Sequence, residues 1–200
     1  MLRLWTFVPF LFLAVCIANA QTAIDGLIKR AEGGDATAQH ELGWKYSVGV
    51  VRERDGSGVN QDLDLAIKWL TKAADQGLPA AQLQLGELYG ERDPLQAAVW
   101  LSKFLKQGLG AEWKPSIASA HYMLGQLLYR PCDPYPGHIT FLECGDERKS
   151  AVQNVRSAVS HFRTAAEAGN IDAQYELAVL LQTGKGTPQD HSTRRSWIRR

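Results

Sequence analysis

The chain has 200 residues, 45% of them apolar and 22% charged, with a formal net charge of +1. That balance excludes wholesale disorder. The absence of a basic stripe leaves no electrostatic footprint for nucleic acid.

The first 20 residues read MLRLWTFVPFLFLAVCIANA. One arginine, an apolar run from Leu4 to Ile17 and small residues at Ala18 and Ala20 make a secretory signal peptide over 1–20, with cleavage before Gln21. An uncleaved anchor is the competing reading, but the run is short for a bilayer span of about 20 residues. A lipoprotein reading needs Cys16 after a small residue, and Val15 fits that poorly. All 21 acidic and 21 of the 22 basic residues lie beyond Ala20, so residues 21–200 are formally neutral. No later apolar run is long enough to cross a membrane, so no stable span is expected after leader cleavage.

Next in the chain, Ile24, Leu27, Ile28 and Ala31 share one helical face and predict a short lead-in helix that caps the stack of later helices. Ala36 to Ser47 is the next helix, and Val50 to Ser57 is a charged insertion. From Asp62 to Gly77 the apolar positions Leu65, Ala66, Trp69, Leu70, Ala73 and Ala74 form one stripe at a 3.6-residue period. Asp62 offers an N-terminal cap, and Gly77 stands where a left-handed C-terminal residue is wanted. Pro79 suits the first turn of another helix, because its missing N–H had no helical partner there. That helix buries Ala81, Leu85, Leu88 and Tyr89, and Gly86 leaves room for a partner helix. Further helices are predicted at Leu95–Gln107, Pro115–Tyr129, Ala151–Ala168 and Ile171–Thr183, with Gly108 to Lys114 a stretched turn.

The same marks recur down the chain. Ala38-Gln39-x-x-Leu42-Gly43-x-x-Tyr46 matches Ala81-Gln82-x-x-Leu85-Gly86-x-x-Tyr89. It returns as Ala120-His121-x-x-Leu124-Gly125-x-x-Leu128 and as Ala173-Gln174-x-x-Leu177-Ala178-x-x-Leu181. Successive copies start 43, 39 and 53 residues apart. Removing an insertion of 7 from the first step and about 17 from the third leaves 36 in both, the mark of a solenoid of helical hairpins. Near the end, Gly186, Asp190 and Trp197 keep the offsets of Gly58, Asp62 and Trp69, whereas Arg194 stands where the pattern has Ala66. An abbreviated polar cap and an interrupted repeat both fit.

The pattern from Gly58 to Tyr89, G-x-x-Q-D-x-x-x-A-x-x-W-x-x-x-A-A-x-x-G-x-x-x-A-Q-x-x-L-G-x-x-Y, resembles the Sel-one-like repeat (SLR) of the tetratricopeptide-like superfamily. The resemblance covers about residues 23 to 200. It implies an all-α fold, a right-handed superhelical solenoid of antiparallel helix pairs, over residues 21–200. Such solenoids serve many partners, so the resemblance is less specific for function than for fold. Some exported relatives have been regarded as penicillin-binding or hydrolytic, but they carry cysteine pairs within each repeat, and this chain has none there.

Two cysteines remain after leader removal. Cys132 and Cys144 both lie in an insertion over residues 130–150, PCDPYPGHITFLECGDERK. In an exported chain that count predicts a disulfide. A metal site with His138, Glu143 and Asp146 is the alternative, weakened by the lack of four well-spaced soft ligands. No cofactor is expected, and the scattered histidines form no recognisable catalytic order. His121 and His161 stand at the Gln and Trp positions of the repeat and read as structural variants.

In tetratricopeptide-like solenoids the helices carrying the Ala-Gln mark line the inner curve. The position after the Gln reads His40, Leu83, Tyr122 and Tyr175. The next outward row reads Trp44, Glu87, Gln126 and Val179. These two largely aromatic and apolar rows are expected to hold a peptide or protein partner in the concave face, Glu87 and Gln126 providing a polar edge. The bland reading is that Tyr122 and Tyr175 pack between neighbouring helices. The chain is therefore expected to be an exported, non-enzymatic adaptor. The alternatives are a cell-envelope hydrolase, a polysaccharide-associated accessory protein, or a structural subunit of an envelope complex.

Overall fold

The protein is described by a computed structural model covering residues 24–49, 59–129 and 147–184, and every regular element among these is helical. Helix α1 spans residues 24–32. It is followed by α2 (Ala36–Val48), α3 (Leu63–Asp75), α4 (Pro79–Tyr89), α5 (Pro94–Leu105), a 3-10 turn (Ala111–Trp113), α6 (Lys114–Tyr129), α7 (Glu147–Glu167) and α8 (Ile171–Thr183). They fall into two compact units whose boundary lies inside α4, between Leu85 and Gly86.

In the first unit, side-chain oxygens fix the helix starts. Asp35 accepts from the backbone of Thr37 and Ala38, and Asp62 accepts from Asp64 and Leu65. These bonds satisfy donors that have no partner within the helix. Thr37, Ala38 and Arg30 all favour the ionised Asp35, holding it below the usual carboxylate range. At the other end of α3, Gly77 takes φ 87°. There the Leu78 amide reaches back to the Ala73 carbonyl at 3.2 Å, a Schellman closure that needs a left-handed residue. The core joins Leu27 and Ala31 of α1 to Ala38 and Leu42 of α2, with Tyr46 and Trp69 packed on it.

A glycine notch sets how closely α2 meets α3. A Cβ on Gly43 would stand 2.7 Å from Leu70 Cγ, and Leu70 is fully buried. Burying such a leucine contributes roughly 1.5–3 kcal/mol, so the notch exchanges a side chain on one helix for a larger one on the other. The second unit repeats the device twice. Gly86 receives Leu101 of α5, and Gly125 receives Phe162 of α7. Its core runs from Ala158, Phe162 and Ala165 to Ala173, Leu177 and Leu181, with Tyr122 and Tyr129 packed against it.

The structure adjusts some boundaries. The stretched turn before α6 contains the 3-10 turn, whose Trp113 sets its ring edge-on to Phe104 at 5.8 Å. Helix α7 begins at Glu147, ahead of Ala151. Leu88 and Tyr89 are only half-buried, because the stripe of α4 is centred on Ala81, Gln82, Leu85 and Gly86. The leader, the charged insertion, the Cys132–Cys144 pair and the segment from Gly186 to Arg200 lie outside the described residues.

Candidate functional site

The repeated glutamine explains why the candidate rows stand off the packing seam. Gln39 and Gln82 are only 4% and 5% exposed. Each turns inward to donate to a carbonyl eight residues earlier, Gln39 Nε2 to Ala31 O at 2.9 Å and Gln82 Nε2 to Ala74 O at 3.1 Å. Gln174 does the same to Ala166 at 3.2 Å. These carbonyls lie in the last turn of the preceding helix, where each also accepts the backbone amide of Gly34, Gly77 or Gly169, so the glutamine adds a second donor. The role was readable only in outline, since the constant spacing from Ala to Gln is visible but the bond is not.

With the Gln turned inward, the next residue points away from the hairpin seam. In the first unit His40 is half-buried and Trp44 is 46% exposed one turn on. Burial pushes His40 below the ordinary histidine value, against the opposing influences of Gln84 and Glu41. Leu83 is half-buried, and the adjacent Gln84 donates to Ser47 Oγ at 3.2 Å, tying α4 to α2. Gln84 was not singled out by sequence, because nothing in the repeat pattern marks its position.

In the second unit Tyr122 leans on Phe162, with ring centroids 5.9 Å apart, and its hydroxyl accepts from Gln126 Nε2 at 2.8 Å. Burial, then Asp172 and Glu176, push the phenol above its ordinary value. Tyr122 is thus shared between core and surface, whereas Tyr175 is 70% exposed and Ile171, one turn before it, 78%. Val179 is half-buried. Glu87 is exposed as a residue, yet its carboxyl loses enough water that burial raises it above the usual range. The structure brings His40 and Trp44 onto one helix beside Gln84, and Tyr122 together with Gln126.

The polar seam differs in the second unit. His121 Nδ1 and His161 Nδ1 stand 2.8 Å apart, and burial lowers both histidines. Sequence identified each as a positional variant, and their meeting emerges only from the packing of α6 on α7. No described helix is long and apolar enough to cross a membrane. No group of three or more metal-ligating side chains occurs among the described residues.

These features define a helical-hairpin repeat protein, with glycine notches inside each pair and large side chains outside. The Sel1 repeat model matches residues 36–78, 79–109, 142–170 and 171–193, more than half of the chain, and the chain belongs to the Sel1 repeat family. It is similar to the alginate biosynthesis protein AlgK of Pseudomonas syringae pv. tomato, 36% identical over 120 residues that make up 60% of this chain and 20% of that protein. Among solved structures it resembles c5321, a protective antigen of uropathogenic Escherichia coli with an SLR fold. The TM-score is 0.62 at 26% identity, covering 86% of this chain and 31% of the other. A Sel1 repeat protein from Oxalobacter formigenes gives a TM-score of 0.55 at 30% identity, covering 89% of this chain and 44% of the other. The chain thus spans a fifth of this curated relative and less than half of either structure.

Proposed function

We propose that the chain is an exported adaptor that holds a protein partner through the outward faces of α2, α4, α6 and α8. Trp44, 46% exposed, and Tyr175, 70% exposed, carry this reading. Both are large side chains on helices whose small residues already serve the hairpin seam. Exposed aromatic groups of this kind are the usual anchors of protein interfaces. His40, Leu83, Tyr122, Gln126 and Glu87 complete the two candidate faces, one in each unit. The chemistry is recognition without catalysis, and no cofactor is required for it.

Export rests on the leader-like first 20 residues, and in the oxidising compartment it implies Cys132 and Cys144 are expected to pair. The likeness to an alginate biosynthesis protein favours a second, compatible reading, in which the held partner belongs to an assembly that handles an envelope polysaccharide. The test is a photo-crosslinking residue placed at position 44 or 175 in cells. The expected result is the same envelope protein joined at both sites, with Gln21 as the N-terminus of the recovered chain. No adduct at either site, or a recovered chain that retains Met1 in the cytosol, overturns the proposal.

A further inference from the structure

The contact between His121 on α6 and His161 on α7 has no titratable counterpart in the α2–α3 pair. Gln39 stands at the position of His121, and Trp69 at that of His161. The two imidazole centroids are 5.1 Å apart with ring planes inclined by 36°. With the Nδ1 atoms at 2.8 Å, that separation is the nitrogen distance plus the two ring radii. The nitrogens therefore face each other head-on. Their lone-pair axes meet along a line, as one N–H···N bond requires, and do not converge on a third centre.

We propose that His121 and His161 form a one-proton latch between α6 and α7, closed while a single proton lies between the Nδ1 atoms and opened when both carry one. A neutral imidazole has one donor nitrogen and one acceptor. In the closed pair one ring donates from Nδ1 and the other accepts there. A first added proton goes to the free Nε2 of the donor ring, leaving a charge-assisted bridge. A second must take the accepting Nδ1, which sets two N–H groups and two positive charges against each other. Burial opposes charging of both rings, and the charge of His161 adds to this at His121. Asp172 and Glu176 of α8 act on the neighbouring Tyr122. Among the described residues no carboxylate acts on either imidazole to offset the second charge.

The latch is placed to affect the outer face. Tyr122 follows His121 in the chain, Phe162 follows His161, and these two rings pack together. Opening the latch loosens that packing and, with it, the Gln126–Tyr122 hydrogen bond. Acidification then weakens the second unit's candidate face. This consequence rests on the proposed partner-binding role, whereas the latch itself does not.

Nitrogen-15 spectra of the histidine side chains in the full chain, recorded from pH 7.5 to 5, read the latch directly. The expected result at neutral pH is one Nδ1–H and one Nε2–H tautomer among His121 and His161. On acidification both become imidazolium as the Tyr122–Phe162 ring contact is lost. Two Nε2–H tautomers at neutral pH, or double protonation with the ring contact intact, overturn the proposal. A second arm uses His121→Gln with His161→Trp, the residues found at these positions in the α2–α3 pair. The drop in melting temperature between pH 7.5 and 5 should fall to about half the native drop or less. A well-folded double variant with the full native drop contradicts the latch, and if that variant fails to fold the native spectra decide. Loss of partner binding at low pH alongside an unchanged tautomer pattern would fault the latch and leave the adaptor role standing.

Discussion

The α2–α3 pair of the first unit and the α6–α7 pair of the second are two versions of one hairpin. Both close on a glycine, Gly43 receiving Leu70 and Gly125 receiving Phe162. Their polar edges differ. In the first, Gln76 Nε2 donates to Gln39 Oε1 at 2.7 Å, and Gln39 donates in turn to Ala31 O. That amide chain has no group that titrates near neutral pH. In the second, His121 takes the Gln39 position and meets His161, which takes the position of Trp69 rather than of Gln76. The packing notch is what these two pairs share. The polar positions beside it can change chemistry while the helices still meet.

The largest effect should come from filling the notch. Gly43→Val or Gly125→Val puts new atoms against Leu70 or Phe162 at distances that real Cβ atoms do not adopt. Each should cost about 3 kcal/mol, near the upper end of overpacking penalties, read as a lower urea midpoint. Equal stability of either variant would show that the hairpin can open to admit a side chain and that the notch does not set the approach.

A smaller effect should follow from the amide edge. Gln39→Ala removes the side-chain donor to the Ala31 carbonyl, which keeps the Gly34 amide, and removes the acceptor used by Gln76, at a cost of about 1 kcal/mol. This loss should be the same at pH 7.5 and 5, because neither partner titrates.

The imidazole edge should behave differently. His121 and His161 lie below the ordinary histidine value of 6.5 in the folded chain. The unfolded chain therefore binds more protons in that range. Their contribution is fully present above about pH 6.5 and is lost as pH falls through the folded values. His40 shifts in the same direction, the raised Glu87 opposes it in the acidic part of the range, and Asp35 enters only below its ordinary 3.8. The melting temperature should fall steadily from pH 7 to 5, and a flat profile would remove the contrast between the two pairs.

The smallest effect concerns a feature shared by α3 and α5. Lys72 Nζ lies 4.2 Å from the Trp69 ring centroid, and Lys103 Nζ lies 3.8 Å from that of Trp100. Lys72→Ala should cost about 0.5–1 kcal/mol, the usual worth of a cation over an indole at a partly exposed site. At the α7 position His161 is followed three residues later by Thr164, so Thr164→Lys should return no such gain.

The fold was readable because its determinants are local and periodic. The Asp62 cap, Gly77, Pro79 and the small-residue stripe each act within one helix or one turn. The glycine notches were also legible, since a glycine at a buried helical position implies a close neighbour. The inward bonds of the glutamines and the meeting of His121 with His161 were not. Each depends on which helix faces that residue, and spacing along the chain does not supply this. The candidate rows lie between these cases. Sequence placed His40, Trp44, Tyr122 and Tyr175 off the seam, but only the structure separates Tyr122, which leans on Phe162, from Tyr175, which stands in solvent.

That separation selects the measurement that bears most directly on the adaptor role. The double variant Trp44→Ala with Tyr175→Ala removes the two most exposed aromatic groups among the described residues and leaves Tyr122 in place. Binding of the purified partner identified by crosslinking should weaken by about 30-fold or more, the scale of lost interface anchors. Helical circular dichroism should be unchanged and stability within about 0.5 kcal/mol, as for surface changes away from the core. Native affinity in this variant, at native stability, would contradict the claim that these faces hold the partner.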